Sequence, residues 1–216
     1  MSISYDLYWS FRSPYSYMIT HKLQALERDY DVVGQMRPVY PLAVRAPEFF
    51  DTRDPLWFSY FATDMFREAA FNGLPFRPPI PDPVTMDFAT RTYPKEQPHI
   101  HRLTRLGVAA AERGRGLAYL AEVGHLIWSG TVDNWHEGGQ LDAAAERAGL
   151  DAAGLNAAVE DEAERLHAAI EANQVAQREA GHYGVPLLVL NREQFFGQDR
   201  FDQFKWRLGQ QGLTAR

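Results

Sequence analysis

Residues 11–18 read FRSPYSYM, and within them Ser13-Pro14-Tyr15-Ser16 has the outline of a two-thiol redox turn with an oxygen in place of each sulfur. Upstream, Ile3–Trp9 (ISYDLYW) alternates apolar and polar residues and is rich in aromatic and β-branched side chains, the period of a strand. Downstream the period changes. Ile19, Leu23, Leu26 and Tyr30 recur at spacings of 4, 3 and 4, which makes one apolar helical face. Pro14 then falls at the first helical position, where its missing N–H costs nothing, and Ser13 before it is a preferred N-cap. The tetrapeptide is therefore a strand-to-helix turn. Asp31–Tyr40 (DVVGQMRPVY) predicts a second strand, so the chain opens β-α-β.

The other end also returns to strands. Leu187–Leu190 is a compact apolar run, 191–193 a turn and Gln194–Phe196 a short returning strand, after which a helix opens near Asp199. Between the two ends the periodicity is helical. A Pro-rich, aromatic loop (PLAVRAPEFFDTRDPLW) leads into a helix stopped by Asn72-Gly73, and the prolines of LPFRPPIPDPVT forbid regular structure. Helices are then expected from near Pro98 to an interruption at Gly114-Arg115-Gly116, from there to about Trp128, over 138–149, and over 151–180. The expected fold class is α/β, β-α-β … β-β-α with a large all-α insertion. Residues 1–42 and 182–216 form the sheet domain and 43–181 the helical one.

Composition narrows the function. The chain has 216 residues, 45% of them hydrophobic, enough for a sizeable core. A formal charge of -6 without any Lys/Arg block argues against nucleic acid and favours a small-molecule or protein partner. With no cysteine in the chain, disulfides, thiolate metal ligation and a protein-borne thiol couple are excluded. Any sulfur chemistry must use a borrowed thiol. The N-terminus lacks the pattern of a signal peptide and no run approaches a membrane span, so a soluble cytoplasmic protein is expected.

Several residues carry both a chemical and a plain structural reading. A helix start bears roughly half a positive charge, and a thiolate placed there is stabilised, with the Ser13 hydroxyl able to donate to it without being oxidised. The plain reading is a capping serine. Val185-Pro186 precedes an apolar strand, where proline is tolerated at the start, and a cis bond there would turn the Val185 backbone toward an extended ligand. In Gly197-Gln198-Asp199-Arg200, turn N–H groups suit a carboxylate and Asp199 an ammonium, or Asp199 simply caps the last helix. Arg45 and Arg53 suit anionic substrate groups, although arginines are more often solvated. His99 and His101 diverge on a helix, so no metal site is expected. No phosphate-cradling glycine loop is present, and no nucleophile elbow surrounds any serine.

DLYWSFRSPYSYM, YFATDMFREAAFNGLPF, NQVAQREAGHYGVPLLVL and FFGQDR together resemble the 2-hydroxychromene-2-carboxylate isomerase and kappa-class glutathione transferase group of the DsbA-like thioredoxin superfamily. The resemblance spans nearly the whole chain. It implies a thioredoxin-like fold split by a helical insertion, glutathione as cofactor, a small anionic aromatic substrate and a homodimer. It implies that Ser13 stabilises the glutathione thiolate and that Val185, before a cis Pro186, pairs its backbone with the tripeptide. Gly197, Gln198, Asp199 and Arg200 form the turn that holds the γ-glutamyl end, and Arg45, Thr52 and Arg53 meet the substrate. Thr52 and Arg53 stand where isomerases of this group often carry Asn, and aromatic Trp57 and Phe58 replace a common lysine before Tyr60. The implied function is a glutathione-dependent isomerase acting by reversible thiolate addition to an unsaturated aromatic keto acid. The alternatives are a kappa-like glutathione transferase and a non-catalytic thioredoxin-like binding module.

Overall fold

The computed structural model describes residues 2–87, 90 and 92–216. Its sheet has four strands, β1 (Ile3–Trp9), β2 (Val32–Pro38), β3 (Leu187–Leu190) and β4 (Glu193–Phe196), in the order β2-β1-β3-β4. β1 runs parallel to β2 and antiparallel to β3, with Tyr8 opposite Leu187, and β4 returns antiparallel to β3. Helix α1 (Pro14–Asp29) supplies the crossover from β1 to β2, the connection that a parallel pair requires. The α/β class with a helical insertion is thus the observed one.

The alternation in β1 sends Tyr5, Leu7 and Trp9 to the main core, where they meet Met18, Ile19, Leu23 and Leu26 of α1. Tyr8 points the other way, with Leu187 and Val189, into a smaller apolar cluster. Between β2 and β3 come α2 (Leu42–Arg45), α3 (Glu48–Asp51), α4 (Pro55–Phe71), α5 (Pro98–Glu112), α6 (Gly116–Trp128), α7 (Gln140–Arg147), α8 (Ala152–Asp161) and α9 (Ala163–Glu179). The Pro-rich loop after β2 contains the two single-turn helices α2 and α3. The stretch over 151–180 is two helices, broken at Glu162, whose φ of -115 lies outside the helical range. After β4, a 3₁₀ turn (Gln198–Arg200) opens α10 (Phe201–Gln210), whose Phe204 packs edge-on against Tyr5 at 5.1 Å between ring centroids.

The inserted helices share the core of the sheet. Phe11, fully buried just after β1, meets Trp9 edge-on at 4.7 Å, and the Trp128 indole of α6 donates to its carbonyl at 2.9 Å. Gly107 of α5 lets that helix approach, because a Cβ there would sit 3.0 Å from the Phe11 ring. Phe11 therefore locks the chain leaving β1 between α5 and α6. Replacing Phe11 by Ala is expected to cost about 3–5 kcal/mol of unfolding free energy through the cavity it opens. Urea denaturation monitored by tryptophan fluorescence measures it, and a loss within about 0.5 kcal/mol would remove Phe11 from this role.

Candidate functional site

Ser13 is the N-cap of α1, with φ -98 and ψ 115, and its Oγ accepts from the Ser16 N–H at 3.2 Å. The hydroxyl proton has only a long contact, 3.5 Å to the Val185 carbonyl. Ser13 can thus keep capping the helix while turning its proton to an anion beside the positive end of α1. Ser16 differs: it is fully buried, its carbonyl accepts from Trp9 Nε1 at 2.8 Å, and its own Oγ has no partner. Of the two serines in the tetrapeptide, the first alone is placed to meet a ligand.

The Val185-Pro186 bond is cis, and the Pro186 carbonyl accepts from the Gly197 N–H at 3.0 Å. Three predicted positions, Ser13, the Val185-Pro186 pair and Gly197, therefore lie together although the chain separates them. Gly197 has φ +101, a conformation that strains any residue with a Cβ, and a Cβ there would also meet Asp199 Oδ1 at 2.5 Å. Asp199 does not cap α10 through its side chain. Its carboxylate is exposed, 3.7 Å from the exposed guanidinium of Arg200. Gln198 turns inward, 3% exposed, accepting from Lys22 Nζ at 3.1 Å and donating to Glu68 Oε2 at 2.5 Å. Its side chain is fully engaged in tying α1, the 3₁₀ turn and α4 together, which leaves its backbone for any ligand.

Arg45, at the end of α2, donates to the Tyr183 carbonyl at 2.6 Å. Its Nε and Nη1 are buried without a hydrogen-bond partner, and among the described residues it forms no ion pair. Burial, and secondarily the nearby charge of Arg178, lower its pKa to about 10, so it remains cationic at neutral pH. Two buried guanidinium nitrogens without an acceptor are costly unless a ligand supplies one. Arg45 and Ser13 thus bind the same short segment, one at the carbonyl of residue 183 and the other at that of residue 185. Two residues of extended chain span about 7 Å.

Aromatic rings continue from this segment. Tyr183 meets Phe49 at 5.6 Å, Arg53 lies over the Phe49 ring at 3.9 Å, and Phe50 reaches Trp57 at 6.3 Å. Trp57 stacks on Phe61 at 5.3 Å, and Phe61 meets Tyr15 at 5.8 Å, two residues from Ser13. Thr52 is exposed at the C-cap of α3. Burial lowers the pKa of His182, whose Nδ1 accepts from the Gly184 N–H at 2.9 Å and whose ring lies against Phe196 at 4.0 Å. The Ser13 turn lines neither the cavity around His99 and His136 nor the one on the sheet around Ser4 and Gln35. A helix start, a carbonyl-lined segment and aromatic rings define the candidate site.

Sequence reasoning missed Lys22, Glu68 and the aromatic chain. Lys22 and Gln198 are 176 residues apart, and nothing local announces their contact. The Trp57–Phe61 stack was findable, because residues four apart share a helix face.

A sheet that presents a helix N-terminus against a cis-proline segment defines a thioredoxin-like protein. The match over residues 5–209 to the DSBA-like thioredoxin domain places the chain in that family. Its fold is similar to that of 2-hydroxychromene-2-carboxylate isomerase, at 19% identity, 96% coverage of this chain, 95% of that one and a TM-score of 0.68. It is also similar to the cytosolic disulfide reductase DsbM from Pseudomonas aeruginosa with GSH, at 16% identity, 97% and 98% coverage and a TM-score of 0.61. No curated protein sequence matches the chain significantly. No helix among the described residues is long and apolar enough to cross a membrane.

The Lys22–Gln198–Glu68 bridge makes a prediction. Glu68→Ala leaves a buried amide donor without an acceptor and should cost about 1–3 kcal/mol, read by chemical denaturation. Glu68→Gln, which preserves an acceptor, should recover most of the loss. Equal losses in the two variants would assign the effect to charge instead.

Proposed function

We propose that this protein is a glutathione-dependent isomerase of the 2-hydroxychromene-2-carboxylate isomerase type, acting on a small anionic aromatic substrate. The observation that carries the reading is the sharing of residues 183–185 between Ser13 and an unpaired, half-buried Arg45. The fold likeness to that isomerase and to a disulfide reductase described with GSH supports it. A cysteine-free chain cannot perform the thiol exchange of its disulfide-handling fold relatives with thiols of its own.

Bound glutathione would supply a thiolate nucleophile that adds to and later leaves an electrophilic carbon of an unsaturated keto acid. Ser13 Oγ, freed from its 3.5 Å contact, donates to the sulfur, and the start of α1 favours its negative charge. The backbone of Val185 pairs with the tripeptide ahead of Pro186. At the γ-glutamyl end, Asp199 takes the ammonium while the backbone N–H of Gln198 receives the carboxylate, and Gly197 and Arg200, whose N–H groups bond Pro186 and Gly197, shape the turn. Arg45 donates to the substrate carboxylate, Arg53 and Thr52 border it, and Phe49, Phe50, Trp57 and Phe61 cover its ring. The same arrangement suits a kappa-like glutathione transferase when the electrophile retains the thiol.

A homodimer completes the reading. Only Ala69 among the 17 residues of α4 is buried, and Leu56, Tyr60 and Phe71 are 75%, 63% and 84% exposed. An apolar helix so thinly covered marks an interface, and a second copy is the proposed cover.

Glutathione should raise the unfolding temperature in proportion to the logarithm of its concentration, as expected for a ligand of the folded state. Ser13→Ala should lower turnover of 2-hydroxychromene-2-carboxylate about 100-fold, the scale for losing one donor to a reacting anion. Its cost in stability is that of a lost cap, about 0.5–2 kcal/mol. No thermal shift at millimolar glutathione would favour a binding module over an enzyme, and unchanged turnover in the folded variant would remove Ser13 from the mechanism.

A further inference from the structure

Away from Ser13, a cavity of about 250 Å³ opens between the starts of α5 and α7 and the flank of α8. The His99 and His136 rings of its lining touch each other at a tilt of 60° with centroids 4.5 Å apart, and the Trp135 ring stands edge-on to both at 5.6 and 5.5 Å. Arg102 adds a guanidinium. Its Nη2 donates to Asn156 Oδ1 at 2.6 Å, while Asn156 Nδ2 donates to Asp142 Oδ1 at 2.8 Å. The amide thus separates the carboxylate of the lining from the guanidinium, and one oxygen of that carboxylate is already engaged.

Two helices start at the cavity. No side chain caps α5, because Gln97 at its N-cap spends its amide on Thr85 and Pro94, and α7 begins at Gly139, which has no side chain to cap with. The start of α5 therefore brings an uncompensated positive end to this space, whereas α7 carries Asp142 in its first turn, with one carboxylate oxygen held by Asn156. The Nδ1 of His136 is buried and has no hydrogen-bond partner. Burial, and then the neighbouring imidazole of His136, lower the pKa of His99. A metal ion is a poor occupant, since among the described residues no cluster offers three ligating side chains.

We propose that this cavity binds a small phosphate-class oxyanion, held by Arg102, His99, His136 and the start of α5, with proton uptake by the imidazole pair. An anion there compensates a second imidazolium and the start of α5, and it satisfies the orphaned ring nitrogen. The charged and titratable groups around the pair are Arg102, Glu137 at 3.4 Å from His136 Nε2, Asp142, and Glu160 at 4.0 Å from Arg102. The proposal is independent of the reading of Ser13.

The test titrates the ¹⁵N-labelled full chain with inorganic phosphate and with glycerol 3-phosphate, at constant ionic strength in chloride, and follows imidazole and Trp135 indole resonances by NMR. The expected result is saturable shifts at His99, His136 and Trp135 with both imidazole pKa values raised. Tighter binding of the monoester identifies an organic phosphate as the source, and tighter binding of inorganic phosphate identifies the free ion. Arg102→Gln should weaken binding by about tenfold or more through loss of a charge-assisted contact, and Ser13→Ala should leave it unchanged. Because Arg102 also bonds Asn156, His99→Gln carries the test if the first variant does not fold, and it too should weaken binding. Absence of saturation, equal shifts in chloride alone, or unchanged affinity in the folded variants would overturn the proposal.

Discussion

The antiparallel pairing of β1 with β3 is the constraint on which the candidate site depends. With Tyr8 opposite Leu187, the chain leaving β1 and the chain approaching β3 emerge from the same end of the sheet, and Ser13 meets Val185 across 172 residues of sequence. A slip of one residue would turn Tyr5, Leu7 and Trp9 out of the core. A slip of two would keep their faces but carry residue 185 about 7 Å from residue 13. The register is held beyond the strand itself: the Trp9 indole donates to the Ser16 carbonyl at 2.8 Å, and that of Trp128 to the Phe11 carbonyl at 2.9 Å. Two tryptophans therefore fix the turn from which α1 begins.

That fixed turn separates two serines which the sequence presents as equals. Ser16 lies inside the first helical turn with its hydroxyl sealed, whereas Ser13 stands at the rim with its oxygen capping and its proton nearly free. A thiol in the first position could exchange with a visiting disulfide, or be oxidised to a mixed disulfide with a visiting thiol, whereas an alcohol there can only hydrogen-bond to the sulfur. This explains how the geometry of a redox turn persists after the thiols are gone. The helix field acts on any anion, and the hydroxyl adds direction to it.

Much of this was legible because it is local. Alternation in Ile3–Trp9, the 4-3-4 spacing after Ser13 and the Ser-Pro cap dictated β-α-β, and the compact apolar run at Leu187 announced the return to strands. The single turns of α2 and α3 escaped detection because four residues carry too little periodicity to register. The break at Glu162 escaped because neither Gly nor Pro marks it. Long-range polar contacts were the least visible. Gln198 reads as a turn residue, yet Lys22 and Glu68 draw its side chain into the interior, and only the assembled fold brings those three together.

The two parts of the fold contribute differently to the site. The sheet and α1 present a helix start and the Ser13 hydroxyl, which suit an anion of almost any kind, while the inserted helices supply the groups proposed to select among anions. They supply Arg45, whose two buried nitrogens lack acceptors, and the ring chain running from Phe49 through Trp57 to Phe61. A resident carboxylate beside Arg45 would neutralise it and occupy the place of a substrate acid. Burial without a partner costs stability in the free protein, and that cost is offset only while an anion is bound. On the proposed function, the unpaired guanidinium would convert an indiscriminate anion site into one that favours a planar acid, the aromatic rings covering a flat hydrocarbon and Arg45 donating to its carboxylate.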